Sequence, residues 1–208
     1  MKVVVAGTGF VGSTLVREFS GRGFEVAAVA RHPVDDLPEN VGVITGSVHT
    51  PGLLESAAWG ADVIVSALPP LDDLPAGVEA LLAVARTTGA RLGVVGGSAV
   101  LPLTEGAPRQ ADTPGFPAWL APRARAHEQA LNVLTAVPAG VDWFYLVPAA
   151  EFGPHRPGTR TGSYRTSTAS QVTDGQGRSV LGVQDYAIAF ADEIERPTTR
   201  RRWLAVGY

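Results

Sequence analysis

The chain has 208 residues, 45% of them hydrophobic and 18% charged, with a formal net charge of −3 and no cysteine. That balance excludes a disordered chain and leaves room for one large core. The charge gives no electrostatic footprint for nucleic acid, no apolar run is long enough to span a bilayer, and Lys2 followed at once by a strand and a glycine turn does not read as a secretory leader. We therefore expect a cytoplasmic protein with neither a nucleic-acid nor a membrane partner. Lacking cysteine, the chain has no disulfide, thiolate metal site or cysteine nucleophile, and its histidines (His32, His49, His127, His155) lack metal-ligand spacing, so no metal is expected.

An apolar run, Val3-Val4-Val5-Ala6, breaks into Gly7-Thr8-Gly9-Phe10-Val11-Gly12, after which Val11, Leu15 and Phe19 recur at helical spacing. This reads as a strand over 2–6, a phosphate-binding turn and a helix over 11–20. Gly7 permits the tight turn, Gly9 lets a pyrophosphate approach the backbone, and Gly12 lets the helix pack close to the sheet. Free amides at the helix start, aided by the macrodipole, would face the phosphates, which makes Gly7, Thr8, Gly9, Phe10, Val11 and Gly12 cofactor-binding candidates.

Gly21 and Gly23 mark the exit of that helix, and a second strand over 24–30 ends at Arg31-His32-Pro33. An acidic residue at this point would hydrogen-bond the ribose of NAD, whereas Arg31 can pair with a 2′-phosphate, so NADP(H) is expected in preference to NAD(H). The alternative is that Arg31 is solvated and Asp35 or Asp36 reaches the ribose. A third strand, 41–45, is followed by Ser47 at the adenine side, and Pro51 opens a helix to Ala58. The fourth strand, 61–67, leads into Ala67, Leu68 and Pro69, where the ribose and nicotinamide would pass. A helix over 77–88 then runs into a fifth strand, 92–95, ending in Gly96-Gly97-Ser98. Ser98 is either within reach of the nicotinamide or a turn serine capping backbone amides.

A Pro/Gly-rich loop over 102–117 precedes a helix over about 118–136, with Pro122 in its first turn or kinking it. The sixth strand, 142–147, ends at Pro148, a further cofactor-binding candidate, and an irregular loop over 150–163 follows. A hairpin-like stretch turns at Asp174-Gly175-Gln176-Gly177, a helix capped by Gly182 spans 183–195, and a last strand spans 203–206. Arg200-Arg201-Arg202, between those two elements, reads as solvated loop. The alternation predicts an α/β fold: a Rossmann-type doubly wound parallel sheet with helices on both faces, one domain over 1–208, and a small C-terminal substrate-side extension over 150–185. The strand order should reverse beside the first strand, with the ligand crevice at the carboxyl ends of the strands.

Lys2 is the sole lysine, and arginine cannot act as a proton shuttle or Schiff base. Chemistry that needs an internal lysine, including a Walker-type loop and the Tyr-x-x-x-Lys pair of ordinary short-chain dehydrogenases, is excluded. A flavin or quinone takes hydride into its own conjugated system and can be protonated by water, so it suits such a site better than an alcohol or unactivated ketone. Ser98 could orient such an acceptor, with Glu151, His155 and Tyr164 as further acid candidates, and Phe152, Trp119 and Tyr164 as stacking walls.

The stretches VVVAGTGFVGS, EVAAVARHP, ADVIVSALPP, VVGGSAVL, DTPGFPAW, VDWFYLVPAAEF, RTGSYR, VQDYAIAFADEIERP and the final VGY together resemble the atypical short-chain dehydrogenase/reductase group of NADH-flavin reductase-like proteins. Biliverdin-IXβ/flavin reductase and the NmrA-like proteins are more distant members. The resemblance implies a Rossmann-type domain that binds NADP(H) or NAD(H), with a flavin as substrate rather than resident cofactor. The chain departs from the group's pattern in having Ala6 at the usual first glycine of the turn and Gly46-Ser47 where relatives have Gly-Asp. Ser98 matches a substrate-side serine of the biliverdin/flavin reductase branch, whereas that branch's histidine falls on Ala150 or Glu151. Two readings compete with a reductase of a small-molecule acceptor: an NmrA-like NADP(H) sensor without turnover, and a sugar-nucleotide epimerase, against which the missing Tyr-x-x-x-Lys pair argues. A homodimer or a regulatory protein partner stays open.

Overall fold

The structure, a computed structural model, describes residues 1–137 and 140–208. In chain order its elements are β1 (Lys2–Ala6), α1 (Phe10–Gly21), β2 (Glu25–Ala30), β3 (Gly42–Thr45), α2 (Leu53–Ala57), β4 (Val63–Ser66), α3 (Leu74–Thr88), β5 (Arg91–Val95), α4 (Ala121–Ala136), β6 (Trp143–Val147), β7 (Arg165–Ser167), α5 (Val183–Glu195) and β8 (Arg202–Gly207). They build one eight-stranded sheet in the order β3-β2-β1-β4-β5-β6-β8-β7. β7 runs antiparallel to β8, and the other strand pairs are parallel. The order reverses at β1, which has β2 on one side and β4 on the other. This is the Rossmann-type α/β arrangement that the alternating pattern predicts.

Side chains alternate across a strand, so each apolar run feeds both faces. Val4 and Ala6 of β1, Ile64 of β4 and Val94 of β5 pack with α2, α3 and α4. Val3, Val5, Val63 and Val65 pack on the other face with Leu15 and Phe19 of α1 and with Tyr186 and Phe190 of α5. Lys2, at the amino end of β1, donates from Nζ to the Trp59 carbonyl at 2.6 Å, far from the carboxyl ends of the strands.

Several boundaries differ from the expectation. Pro51 lies outside α2, whose N-cap is Gly52 in the left-handed region. α3 begins at Leu74 rather than 77, because Pro75 sits in its first turn, where the missing N–H costs nothing. Pro122 likewise falls in the first turn of α4 and does not kink it. The turn at Asp174 is closed by the Asp174 amide on the Arg178 carbonyl at 2.8 Å, yet it joins no two strands. β7, a polar edge strand of three residues, carries too little apolar pattern to be read from sequence. The arginine cluster is not plain solvated loop: Arg200 pairs with Asp142 at 2.7 Å, Arg201 has φ 51° and donates to the Val137 and Val141 carbonyls, and Arg202 starts β8.

Candidate functional site

The first strand ends at Ala6, and Gly7 makes the turn with φ +101°, a region open to glycine. A Cβ at Gly7 would also lie 2.5 Å from the Ala67 carbonyl oxygen, and one at Gly12 would lie 2.0 Å from the Gly7 carbonyl oxygen. Gly9 is the opposite case: it is extended, exposed, and has nothing within 4 Å of where a Cβ would stand. It is the N-cap of α1, and no side chain caps that helix, so the first-turn amides have no partner within the helix. Ala6, in place of the usual first glycine, is therefore the last residue of the strand, and Gly7 takes over the turn.

This turn opens on a cavity of about 1180 Å³ that runs along the carboxyl ends of β1 to β6. Of the predicted cofactor positions, Gly7, Thr8, Gly9, Phe10, Val11, Arg31, Ser47, Ala67, Leu68, Pro69, Ser98 and Pro148 line it, whereas Gly12 is buried behind the turn. Arg31 is exposed and has no ion-pair partner among the described residues. Asp35 and Asp36 both share the lining, and the Asp36 carboxylate is paired with Arg17 at 2.6 Å. The Ser47 hydroxyl accepts the His49 amide at 3.2 Å. Ser98 opens a short 3-10 turn whose N-cap is Gly97, and no side chain caps it, so Ser98 is not a capping serine. Its carbonyl accepts the Gln171 side-chain amide at 2.8 Å, which holds the turn from below.

The acid candidates separate. His155 lines the cavity, but Glu151 does not: its carboxylate is paired with Arg156 outside. Tyr164 is neither an acid nor a wall of the cavity. Its hydroxyl donates to Asp192 Oδ2 at 2.6 Å, and burial together with that carboxylate pushes it well above the usual phenol range. Phe152 and Trp119 do line the cavity, with Phe152 6.3 Å from the Phe10 ring in an edge contact and Trp119 72% exposed at the mouth. Of the expected substrate-side region over 150–185, Ala150 and residues 152–155 line the cavity. Beyond His155, Arg160 pairs with Glu18 and Thr161 bonds Asp185, so that segment packs on α1 and α5.

Sequence reasoning missed His127 and Arg123, both on the cavity wall from α4. His127 Nδ1 lies 2.9 Å from the Tyr145 hydroxyl. The signal available was Gly96-Gly97: a Cβ on Gly97 would lie 2.3 Å from His127 Cδ2, and one on Gly96 would lie 2.5 Å from Tyr145 Cε1. The glycines make room for those rings.

The open Gly9, the uncapped α1 amides and the volume of the cavity fit a dinucleotide, whose phosphates need close backbone approach and whose length exceeds an ordinary small-ligand pocket. Fold and site define a Rossmann-type dinucleotide-binding protein. Residues 6–193 match a family model described as NAD(P)H-binding, and the chain belongs to that family. YwnB of Bacillus subtilis (strain 168), an uncharacterized protein, is 30% identical over 99% of this chain and 98% of its own length. A Burkholderia pseudomallei structure, provisionally described as an exported protein, shares 34% identity and a TM-score of 0.89, with 100% of each chain covered. A Streptococcus pneumoniae TIGR4 structure, provisionally named an NADH-flavin reductase, shares 29% identity and a TM-score of 0.88 over 100% of this chain and 99% of that one. These relatives agree with the atypical short-chain dehydrogenase/reductase group that the motifs resemble. No helix among the described residues is long and apolar enough to cross a membrane.

Proposed function

We propose that the protein is an NADPH-preferring reductase that passes hydride to a flavin- or quinone-like acceptor, with the flavin as substrate and not as resident cofactor. The observation that carries this reading is the open Gly9 at the uncapped start of α1, in one cavity with Arg31, exposed and without an ion pair among the described residues, at one end and Ser98, Phe152 and Trp119 at the other. In this reading the amides of Thr8 to Val11 hold the pyrophosphate and Arg31 holds the 2′-phosphate. Ser47 borders the adenine, and Ala67, Leu68, Pro69 and Pro148 border the ribose and nicotinamide. When bound, the reduced nicotinamide supplies the hydride. The chain's own task is to align the acceptor, which Phe152 and Trp119 flank and the Ser98 hydroxyl orients. With no internal lysine and no tyrosine-lysine pair, the site suits an acceptor that needs no concerted proton delivery. The family match and the provisional name of the Streptococcus pneumoniae neighbour support the same class. A cytoplasmic setting, where NADPH is regenerated, goes with it.

The test is calorimetric titration with NADPH and NADH, followed in the same preparation by an absorbance assay of cofactor oxidation with FMN, riboflavin and simple quinones. NADPH oxidation well above the spontaneous rate is the expected result. Tight binding of both redox states without turnover would instead support the NmrA-like sensor.

A further inference from the structure

Beside Ser98, a histidine and a tyrosine are built into one another. Tyr145, on β6, is fully buried, and its hydroxyl oxygen accepts the Gly97 amide at 3.2 Å. Its single proton has two acceptors within reach: His127 Nδ1 at 2.9 Å and the His127 carbonyl at 3.4 Å. Were Nδ1 the donor, the tyrosine proton would be left with the carbonyl at 3.4 Å, outside the ordinary range of about 2.5–3.0 Å for a hydroxyl donor, so donation to Nδ1 serves both groups. Nδ1 is then an acceptor, and in the neutral ring the remaining proton sits on Nε2. Nε2 has no hydrogen-bond partner among the described residues, is not among the side-chain atoms sealed from solvent, and belongs to a residue that lines the cavity.

We propose that His127, fixed by Tyr145, presents its Nε2–H to the acceptor as a hydrogen-bond donor, aimed at the oxygen or nitrogen on which negative charge builds as hydride arrives. This deepens the reductase reading and rests on it. The balance for a quinone is NADPH plus quinone plus one proton giving NADP⁺ and hydroquinone. Two electrons and one hydrogen leave as hydride, and the acceptor oxygen takes its proton from water. His127 keeps its own proton throughout.

Burial, together with the Arg123 guanidinium on the same helix, pushes His127 down to about 4. Across the helix–sheet contact it meets the Tyr145 phenol, which burial keeps protonated, and the uncharged Gly97. Glu128, next along α4, is neutralised by Arg109. The ring is therefore neutral at pH 7. A neutral imidazole is a poor acid but a well-placed dipole, and preorganised dipoles stabilise developing charge without reorganising. Tyr145 is a positioning residue, acting through the histidine.

The test begins with long-range ¹H–¹⁵N correlation spectra of the imidazole rings, assigned with His127→Leu. The expected signature is one neutral ring protonated at Nε2 from pH 5 to 8, which shifts when riboflavin is added with NADP⁺. A ring protonated at Nδ1, titration near pH 6.5, or no shift with riboflavin would overturn the proposal. Tyr145→Phe should mix the tautomers, a change that a purely packing role would not produce. In the oxidation assay His127→Leu should lower kcat about 100-fold while NADPH affinity stays within about twofold, and His127→Gln, which keeps an N–H, should recover part of the loss. A kcat in His127→Leu equal to that of the parent would overturn the donor role. A parent without turnover would refute the reductase reading itself, and the tautomer and riboflavin shift would still decide whether His127 meets a ligand.

Discussion

The Tyr208 hydroxyl donates to Asp185 Oδ2 at 2.5 Å, joining the end of β8 to the first turn of α5. The Asp185 carboxylate also accepts the Thr161 amide at 3.0 Å, the Thr161 hydroxyl at 2.7 Å and the Gly162 amide at 2.9 Å. Three stretches that are far apart in sequence, RTGSYR, VQDY and the final VGY, meet on one buried carboxylate. The segment after His155 is thereby held on α5.

Asp185→Asn should release that segment. An amide places N–H against donors and leaves buried groups unpaired, at about 1–3 kcal/mol for each. Urea unfolding at pH 7 should show the loss, and trypsin should cut after Arg160 faster than in the parent. Equal cleavage would mean that the segment is held elsewhere.

The same carboxylate sets an acid limit. Burial alone would raise Asp185, but the hydrogen bonds from Tyr208, Thr161 and Gly162 outweigh it and hold the group below the usual aspartate range. A group with a lowered folded pKa contributes stability above its unfolded pKa of about 3.9, and that stability is lost as pH falls through the folded value. His127 acts earlier. Neutral in the fold down to about 4, it favours the unfolded chain, which takes up a proton once the pH falls below about 6.5. Stability should therefore fall between those values by up to about 1.4 kcal/mol per pH unit. His127→Leu should flatten this slope and leave the Asp185 limb, as pH-resolved denaturation would show.

Two glycines of the first turn should respond in opposite ways. Gly9→Val meets open space and an ordinary backbone, so the melting temperature should hold while the pyrophosphate path is blocked and NADPH affinity is lost. Gly12→Ala places a methyl 2.0 Å from the Gly7 carbonyl oxygen, and the strain should lower stability by about 1–3 kcal/mol or more. Melting curves with and without NADPH separate the two.

Arg31→Asp should shift preference from NADPH towards NADH by about 10- to 100-fold, the worth of one charge-assisted contact to a phosphate. The shift should shrink as salt rises, because Arg31 is exposed. An unchanged ratio of dissociation constants would clear Arg31 of that role.

Ser98→Ala should slow hydride transfer more than it weakens cofactor binding, a split that single-turnover NADPH oxidation and calorimetry resolve. Its hydroxyl has no partner among the described residues that would give it a structural duty instead.

The part of the cavity around the glycine turn was legible because its constraints are local. A strand, three glycines and an amphipathic helix are adjacent in sequence, and each strand end that lines the cavity follows its own apolar run. The part around Ser98 and His127 depends on contacts that cross the chain. Whether Glu151 faces in or out is decided by Arg156, and Tyr164 is turned away by Asp192, 28 residues later. The pairing of His127 with Tyr145 bridges 18 residues from helix to strand. Of these, only the Gly96-Gly97 pair left a trace, as missing side chains whose reason lies on other elements.

The contact between Lys2 and the Trp59 carbonyl has a practical side. As the one lysine, Lys2 is the chain's sole side-chain amine, and it stands at the amino end of β1, the pole of the sheet opposite the cavity mouth. An amine-reactive surface would therefore capture every copy by the same pole, the cleft turned towards the flowing buffer, and a fluorophore attached there would report tumbling without touching the ligands. The composition that rules out lysine chemistry in the site thus places the one side-chain amine at the pole away from it, beside the Met1 α-amine, so that either amine tethers the molecule by the same end.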